Sequence, residues 1–387
     1  MEPKAERVNS QPSWLIESAN VEVSLTKLGG MMAPVNFHTD SGKNIQPYYT
    51  TPWQNEGWSL DDPVLVPLRG DFFCMPFGAD NAYKGESHNV HGEPATREWQ
   101  FSSHERNDGI TSFEATMDTQ ERHGTVVKRL MLKDGETVVY TQHELRGFSG
   151  EMTLGHHAIL DPVEEDGGLQ VSTSPFEFGI SRPFAELYNA GGEYASISPE
   201  AVFDSLDAVP TIWKEPAYTD CSVFPARQGY CDILALFAPE SRQAERSIAW
   251  MAAVAQKQGY VWFALKDPKT LPAAVLWLEN RGRNAAPWRG RTCCIGLEDV
   301  CGYIAEGLRP SASDNPAREA GYATSVNLSG EHAYAINYIQ GVAEIPDGFD
   351  RVKDVRIEDH HVELVSYSGE RVRTSVKSDF LFNGTVE

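Results

Sequence analysis

The chain has 387 residues, with 33 lysines and arginines against 55 aspartates and glutamates, which gives a net charge of −22. This acidity argues against a nucleic-acid partner, whose phosphates such a surface repels, and against docking on anionic lipid. With 41% hydrophobic and 23% charged residues, the composition is typical of a globular protein that can bury a large core without disulfides.

The N-terminal residues predict no export signal. Residues 1–13 are polar and lack the apolar core of a signal peptide. No stretch reaches the roughly 18 apolar residues that a membrane helix needs, so we expect a cytoplasmic protein without a membrane partner. The six cysteines form no Cys-x-x-Cys pair, and we expect them to be free buried thiols.

Strand patterns follow one another along the whole chain. Alternation of apolar and polar residues predicts strands with one buried face at 21–26, 112–118 and 139–145. Continuous apolar runs predict strands buried on both faces at 233–238, 248–255 and 260–265. Turn pairs such as Asp-Gly and Ser-Gly separate many of these segments.

Helical patterns are scarce. The best candidates are residues 198–205, where Ser198 would cap a helix that begins with proline, and residues 315–320. Many closely spaced strands with few short helices predict an all-β fold, namely a large antiparallel β-sandwich.

The domain prediction follows from the absence of a visible linker. No Pro-, Gly- or Ser-rich segment divides the sequence, so we expect one sandwich domain over residues 1–387. Strands at 352–357 and 362–367 predict a hairpin, which makes residues 346–387 a C-terminal extension of the sandwich.

Two early clusters combine titratable and aromatic residues with glycine and proline. Arg69 precedes a glycine turn, and its five donors suit hydroxyl pairs, carboxylates or phosphate. A loop with His88, His91, Arg97 and Trp99 could present a histidine, a cation and a flat platform for a sugar ring. The alternative interpretations are a surface arginine paired with an acid, and a loop histidine beside a core tryptophan.

Two later clusters lie on predicted strands. His156 and His157 are adjacent, so they point to opposite faces and only one can serve a given site. The same holds for Glu298 and Asp299, and a glutamate on a buried face is a candidate for a raised pKa and acid–base work. The alternatives are a hydrogen-bonded strand histidine and an ordinary acid at a strand end.

These clusters, taken in order, resemble the galactose mutarotase-like superfamily, which comprises aldose 1-epimerases and hexose-phosphate 1-epimerase relatives. The similar segments are Val21 to Gly30, Arg69 to Gly78, His88 to Gly92, Gly155 to His157, Thr219 to Phe224, and Trp277 with Gly296 to Glu298. The chain departs from the family pattern at Ala158–Leu160, where Pro-Tyr-Phe is usual, and at Arg97, which stands two places late.

The resemblance implies an isomerase that interconverts the α and β anomers of a sugar, without a metal or other cofactor. It implies Glu298 as base, His157 as acid and His91 as a further catalytic histidine. We also predict a set of residues that bind the sugar: Arg69, Asp220, Arg97, Trp99, Trp277 and His88. The expected state is a monomer or a homodimer.

Three alternatives remain at this stage. A sugar-binding protein without turnover would use the same fold, although binding alone does not need an acid–base pair. A metal-dependent lyase or isomerase would use the histidines as ligands. The sugar itself could be neutral, uronic or phosphorylated, and the net charge of −22 favours the first two over a dianion.

Overall fold

The structure is a computed structural model, and it describes residues 2–162, 166–183, 192–238, 246–358 and 360–386. The described residues form 30 β-strands and four α-helices of four or five residues each. The helices are α1 (Gly92–Thr96), α2 (Leu308–Ser311), α3 (Pro316–Glu319) and α4 (Phe380–Asn383). The all-β prediction with few short helices is therefore confirmed.

The N-terminal strands pair in sequence order. They form a five-stranded antiparallel sheet. Its strands are β1 (Ala5–Val8), β2 (Gln11–Glu17), β3 (Val21–Thr26), β4 (Met32–His38) and β5 (Asn44–Ile45).

A seven-stranded antiparallel sheet holds the candidate site. Its strands are β6 (Phe73–Cys74), β14 (Leu154–Leu160), β16 (Phe178–Ser181), β17 (Val202–Phe203), β21 (Tyr230–Phe237), β24 (Ala273–Asn280) and β25 (Cys293–Cys301). The order across the sheet is β17-β16-β21-β24-β25-β14-β6.

A nine-stranded antiparallel sheet packs against it. Its strands are β9 (Gln100–Asn107), β10 (Ile110–Thr119), β11 (Gly124–Lys133), β12 (Val138–Arg146), β15 (Leu169–Thr173), β20 (Val223–Phe224), β22 (Ala249–Ala255), β23 (Tyr260–Lys266) and β27 (Tyr334–Glu344). The order across the sheet is β20-β15-β22-β23-β27-β12-β11-β10-β9.

Smaller sheets complete the chain. Three two-stranded pairs are β7 (Asn81–Tyr83) with β8 (Glu86–His88), β13 (Ser149–Met152) with β26 (Val326–Ser329), and β18 (Val209–Pro210) with β19 (Tyr218–Thr219). A C-terminal three-stranded sheet consists of β28 (Val352–Glu358), β29 (His361–Ser366) and β30 (Arg371–Ser375). The predicted hairpin corresponds to β28 and β29, and β30 was not predicted.

The hydrophobic layers explain why the central strands are apolar on both faces. Met251 and Ala253 of β22 pack in the core between the two large sheets. Trp250 and Val254, which alternate with them, pack under the C-terminal sheet. The nine-stranded sheet is thus covered on both sides, and the same reasoning applies to the seven-stranded sheet, whose outer face forms a further apolar cluster with Trp277.

The two helix predictions had opposite outcomes. The candidate at residues 315–320 corresponds to α3, and Asn315 caps it by accepting a hydrogen bond from the Arg318 N–H at 3.0 Å. The helix predicted at 198–205 is wrong, because Val202–Phe203 pairs with β16 at the edge of the seven-stranded sheet. Tertiary pairing of a β-branched and an aromatic residue outweighs the local Ser-Pro signal.

None of the six cysteines forms a disulfide. Five of them are buried, and Cys293 is partly exposed. In the part of the chain that the structure describes, no helix is both long and apolar enough to cross a membrane.

Candidate active site

The centre of the site is a histidine–carboxyl pair on neighbouring strands. His157 of β14 lies directly opposite Glu298 of β25 in the antiparallel register. Residues opposite each other in such a pair share a face, and His157 Nε2 lies 3.3 Å from Glu298 Oε1. The two side chains are 5% and 2% exposed, respectively, so the pair is almost removed from bulk water.

The pair lies at a cavity of about 430 Å³ on the outer face of the seven-stranded sheet. This volume is within the range of small-molecule sites. Two indole rings, Trp277 and Trp288, line the cavity with their centroids 5.9 Å apart. Its ionisable lining residues are Asp62, Asp80, His91, His157, Arg182, Glu193, Arg283 and Glu298.

His91 enters the same cavity from the turn before α1. Its backbone has a left-handed φ of 60°, and its amide donates to the Gly78 carbonyl at 2.9 Å. The Gly78 amide in turn donates to His91 Nδ1 at 3.4 Å. An accepting Nδ1 places the proton of the neutral ring on Nε2. The ring meets that of His157 edge-on at 4.9 Å, so the two histidines are neighbours.

Burial determines the protonation states of these groups. It raises the pKa of Glu298 well above its ordinary value, with Arg283 acting in the opposite direction. Burial, reinforced by Arg283, lowers the pKa of His91 to about 3. Burial also lowers the pKa of His157 well below its usual range, with His91 and Arg283 adding to the effect. The neutral forms of all three are therefore favoured in the unliganded cavity.

Two atoms of the pair have no partner among the described residues. Glu298 Oε2 and His157 Nδ1 are buried and make no hydrogen bond there. Buried polar atoms are normally paired, so these orphaned atoms are where a ligand or water would bind. The ring of His157 is held in place by stacking on Phe72 at 4.7 Å and by the edge of Trp277 at 5.8 Å.

The neighbouring residues His156 and Asp299 face the interior of the sandwich instead. His156 Nδ1 lies 3.0 Å from Asp71 Oδ2, and the hydroxyl of Tyr338 donates to Asp299 Oδ2 at 2.8 Å. Lys266 forms an ion pair with the same aspartate. Strand alternation thus assigns one histidine and one acid to the cavity and the other two to a buried network.

Trp277, one of the residues predicted to bind a sugar, lines the cavity. It lies on β24 opposite Gly296 of β25, and its Nε1 donates to Cys231 Sγ at 3.2 Å. The structure therefore brings together four of the nine predicted site residues: His91, His157, Trp277 and Glu298.

Arg69 does not line this cavity, which corrects its prediction as a sugar-binding residue there. Its side chain is fully buried and donates to the carbonyls of Pro67, Val8 and Asn9 and to Gln54 Oε1. These contacts tie the N-terminal strands to the turn before β6. Four of the five N–H groups of its guanidinium are taken by internal acceptors, and the side chain is buried away from the cavity.

Asp220 lies at a different place from the His157–Glu298 pair. It borders a second, more open hollow with Asp207, Asp350, Arg351 and other residues. Its Oδ1 accepts from the amide and hydroxyl of Ser222, which makes it a turn-forming aspartate. The prediction that it binds the same sugar as Glu298 is therefore corrected.

The other loop residues of the His-Gly cluster are also outside the cavity. His88 Nε2 lies 2.8 Å from a carboxylate oxygen of Glu86, and Arg97 pairs with Glu93 one turn earlier in α1. Trp99 is a core residue whose Nε1 donates to the Pro94 carbonyl at 2.9 Å. None of the three lines the cavity, because each is committed to the local loop or core.

Sequence reasoning missed the loop between β24 and β25. This loop contributes Arg283 and Trp288 to the cavity. The available signal was the density of arginine and tryptophan in a stretch between two buried strands, Arg281 to Arg291. Arg182, Glu193 and the acids Asp62 and Asp80 were not predicted either, and nothing in their local sequence distinguishes them.

The described residues contain no group of three or more His, Cys, Asp or Glu side chains that could hold a metal ion. The ionisable groups of the cavity are instead two histidines, two arginines and four carboxyl groups. Their arrangement suits proton transfer and hydrogen bonding to a polar ligand.

Comparison with solved structures shows that the fold is shared with mutarotase-like proteins. The chain is similar to a galactose mutarotase-like protein from Clostridium acetobutylicum, with a TM-score of 0.59 and 11% identity over 88% of this chain and 98% of that one. It is also similar to an aldose epimerase homologue from C. elegans, with a TM-score of 0.54 and 12% identity over 86% and 100% of the two chains. No family model and no curated protein sequence matches the chain.

The chain thus has the galactose mutarotase-like fold, and the superfamily resemblance inferred from its sequence segments is confirmed at the level of the fold. A galactose mutarotase-like protein from Lactobacillus casei has the same architecture, with a TM-score of 0.52 and 13% identity over 86% of this chain and 100% of that one. A shared fold does not define the reaction, which must be argued from the site.

Proposed function

We propose that the protein is an aldose 1-epimerase-like isomerase that interconverts the α and β anomers of a sugar. The observation that supports this best is the His157–Glu298 pair, 3.3 Å apart and nearly buried, beside His91 and two indole rings. A paired acid and base at one cavity suit the opening and closing of a hemiacetal ring.

The first step opens the ring. Glu298, as carboxylate, takes the proton of the C1 hydroxyl while the C1–O5 bond breaks and C1 becomes a carbonyl carbon. His157, as imidazolium, gives its proton to O5, which becomes a hydroxyl. His91 donates a hydrogen bond from Nε2 to the same oxygen region and stabilises the charge that develops there.

The second step closes the ring on the other face. After rotation about the C1–C2 bond, the O5 hydroxyl attacks the carbonyl carbon and returns its proton to His157. The new C1 hydroxyl takes its proton from Glu298. No net change in protons or electrons occurs, so the two residues end as they began.

The unliganded pair needs one internal proton transfer before the first step. Burial places the proton on Glu298, whereas the mechanism needs it on His157. A single proton that moves across the 3.3 Å between Oε1 and Nε2 converts the neutral pair into carboxylate and imidazolium. Polar sugar hydroxyls near the pair favour this ionised form, because they solvate both charges.

The charge of the lining supports an unphosphorylated sugar as the substrate. Besides Glu298, whose neutral form is favoured, three carboxyl groups and two arginines line the cavity, and the whole chain has a net charge of −22. Such a site is poorly suited to a phosphate dianion. We further propose that the protein acts in the cytoplasm as a monomer or homodimer on a small-molecule sugar.

Polarimetry on freshly dissolved single anomers of a sugar panel tests the proposal. We expect the wild type to accelerate mutarotation of at least one sugar, and Glu298→Gln and His157→Asn to lower kcat by about 10²- to 10⁴-fold. His38→Asn, at a partly exposed strand end outside the cavity, is the matched control and should keep full activity. Sugar binding without acceleration at any pH from 5 to 8 would instead indicate a non-catalytic carbohydrate-binding protein.

A further inference from the structure

Arg283 is held against both tryptophans of the cavity. Its guanidinium lies 4.7 Å from the ring centroid of Trp288 and 5.1 Å from that of Trp277. Its Nε lies 3.3 Å from a carboxylate oxygen of Glu193. Contacts with two indole faces and one carboxylate restrict the side chain to one position, so the arginine is ordered before any ligand arrives.

The loop backbone strengthens this arrangement. Glu279, at the end of β24, is fully buried, and its Oε1 accepts from the amides of Gly282 and Arg283 at 2.9 and 3.3 Å. Its second carboxyl oxygen lies 3.8 Å from Arg283 Nε. The turn that presents Arg283 is therefore fixed by the same acid that faces its side chain.

The outer donors of Arg283 remain available. Within the described ranges, neither Nη1 nor Nη2 has a hydrogen-bond partner, and the residue lines the cavity together with His157 and Glu298. A guanidinium with only Nε committed still offers four N–H groups in a planar fork. Such a fork matches two oxygens on adjacent atoms better than a single oxygen.

The charge around Arg283 favours hydroxyls over an anion. Glu193 and Glu279 both approach its Nε atom, so part of its positive charge is compensated before a ligand binds. A compensated guanidinium keeps its hydrogen-bond donors but attracts a dianion weakly. The adjacent indole rings supply the apolar surface that the carbon skeleton of a sugar can cover.

We propose that Arg283 is a specificity-determining residue of this site, whose two Nη groups donate to a pair of adjacent hydroxyls on a sugar ring that packs on Trp277 and Trp288. The assignment rests on the proposed function in that it takes the ligand to be a sugar. In this arrangement Arg283 holds the ring at a distance from C1, and His157 and Glu298 act on C1 and O5.

Pairing enzyme variants with deoxy sugars tests the contact directly. Arg283→Met keeps a linear side chain against the indoles but removes every donor. We expect kcat/KM for the best substrate to fall about 10- to 100-fold, mostly through KM, because charged hydrogen bonds are lost. The 2-, 3-, 4- and 6-deoxy derivatives of that sugar are then compared with the parent. For the wild type, removing either of two adjacent hydroxyls should lower kcat/KM by a similar factor. For Arg283→Met, removing the same hydroxyls should not lower kcat/KM further.

Two more variants keep the test decisive. Arg289→Met is the matched control: Arg289 lies in the same loop and stacks on Trp58 at 4.5 Å, but it does not line the cavity. It should behave as the wild type with every sugar. Arg283→Lys keeps the positive charge but lacks the planar pair of Nη donors. Its kcat/KM should therefore also be the same for the parent sugar and the two deoxy sugars. It replaces Arg283→Met if that variant does not fold.

The outcomes separate this inference from the proposed function. If Arg283→Met and Arg283→Lys lose the same factor as the wild type on every deoxy sugar, Arg283 contacts no hydroxyl and the inference is overturned. If the wild type binds sugars, measured by quenching of tryptophan fluorescence, but accelerates none, the proposed function fails and the same deoxy series is read by affinity. A wild type that binds no sugar of the panel overturns both.

Discussion

Burial changes the pKa of a single side chain, Glu298. The carboxyl group is 2% exposed and has one near partner, His157 Nε2. Removing a carboxylate from water without full compensation is costly, so the group holds its proton to a higher pH than a free glutamate. The same burial that raises its pKa also costs stability whenever the group is ionised.

The pH dependence of stability follows from that direction. A carboxyl group whose pKa is raised in the folded state stabilises the fold fully below its unfolded value of 4.5, and this contribution is lost as the pH rises through the folded value. Glu298→Gln does not ionise. We therefore expect the variant to gain stability relative to the wild type as the pH rises from 4.5, while it loses activity.

Urea unfolding at pH 4.5, 6, 7 and 8 measures this difference. Glu331→Gln, at an exposed position, is the control and should show no such trend. A difference between Glu298→Gln and the wild type that stays constant over the whole series would show that Glu298 is already ionised in the folded protein.

Arg69 shows the opposite use of a buried polar residue. Its guanidinium has no carboxylate partner in the described structure, yet three carbonyls and one amide oxygen accept its hydrogen bonds. Burial lowers the pKa of Arg69 to about 10. The Arg-Gly sequence predicts a fixed cation on a tight turn, and the structure has a buried Arg69 beside Gly70 with a left-handed φ of 46°. The carbonyls of Val8 and Asn9, which are distant in sequence, direct the guanidinium to the backbone instead of a ligand.

At the scale of elements, the pairing of β14 with β25 aligns His157 with Glu298, the proposed catalytic pair. The register that opposes His157 to Glu298 also opposes His156 to Asp299. A slip of one strand by one residue would place its cavity-facing residue in the sandwich interior and break up the His157–Glu298 pair. The buried ion pair of Lys266 with Asp299 and the Tyr338 hydrogen bond give the inner face a polar pattern that only one register satisfies.

The position of the Glu298 carboxyl group also requires a glycine at residue 296. A Cβ at Gly296 would lie 2.6 Å from Glu298 Oε1 and 3.0 Å from Trp277 Cβ. We expect Gly296→Ala to displace the carboxyl group and lower kcat by about 10- to 100-fold, because small misplacements of catalytic groups are costly. Its effect on the free energy of unfolding should be about 1–3 kcal/mol, as for other overpacked sites.

Gly341→Ala is the matched control for this prediction. Gly341 lies in β27, where an added Cβ would meet Phe263 Cζ at 2.8 Å, a comparable clash away from the cavity lining. It should lose stability without losing kcat per folded molecule. Equal losses of kcat in both variants would mean that overpacking, rather than the position of Glu298, controls activity.

At the scale of the whole molecule, the C-terminal sheet covers the outer face of the nine-stranded sheet. Leu364 and Val362 of β29 are fully buried in one cluster with Trp250, Phe263 and other residues of that sheet. No residue of β28–β30 lines the cavity. We therefore propose that residues 346–387 are part of the same cooperative unit and contribute stability rather than chemistry.

A core substitution in this sheet tests that unit. We expect Leu364→Ala to lower the free energy of unfolding by about 2–5 kcal/mol and to shift a single calorimetric transition of the whole chain. Its KM for the sugar should not change. Ile357→Ala, at a side chain that is 36% exposed, should shift the transition little. Two transitions, of which only one moves, would show that the extension unfolds as a separate domain.

The sequence by itself determined the fold class and which two strand residues were proposed for the site. Alternating and continuous apolar runs are local consequences of strands with one or two buried faces, so the sandwich was predictable. Strand alternation required one member of each His-His and Glu-Asp pair to face the site, and family resemblance selected His157 and Glu298. Both residues line the cavity with His91 and Trp277.

Only the tertiary structure decided which remaining polar residues surround the cavity. Arg69, Arg97 and Asp220 have suitable chemistry, but each is committed to nearby backbone or side-chain partners. Arg283 and Trp288 reach the cavity because a loop between β24 and β25 folds over the sheet. Contacts of this kind depend on loop conformation and on packing between residues that are distant in sequence, which local residue patterns do not encode. Strand periodicity, in contrast, can be recognised from adjacent residues.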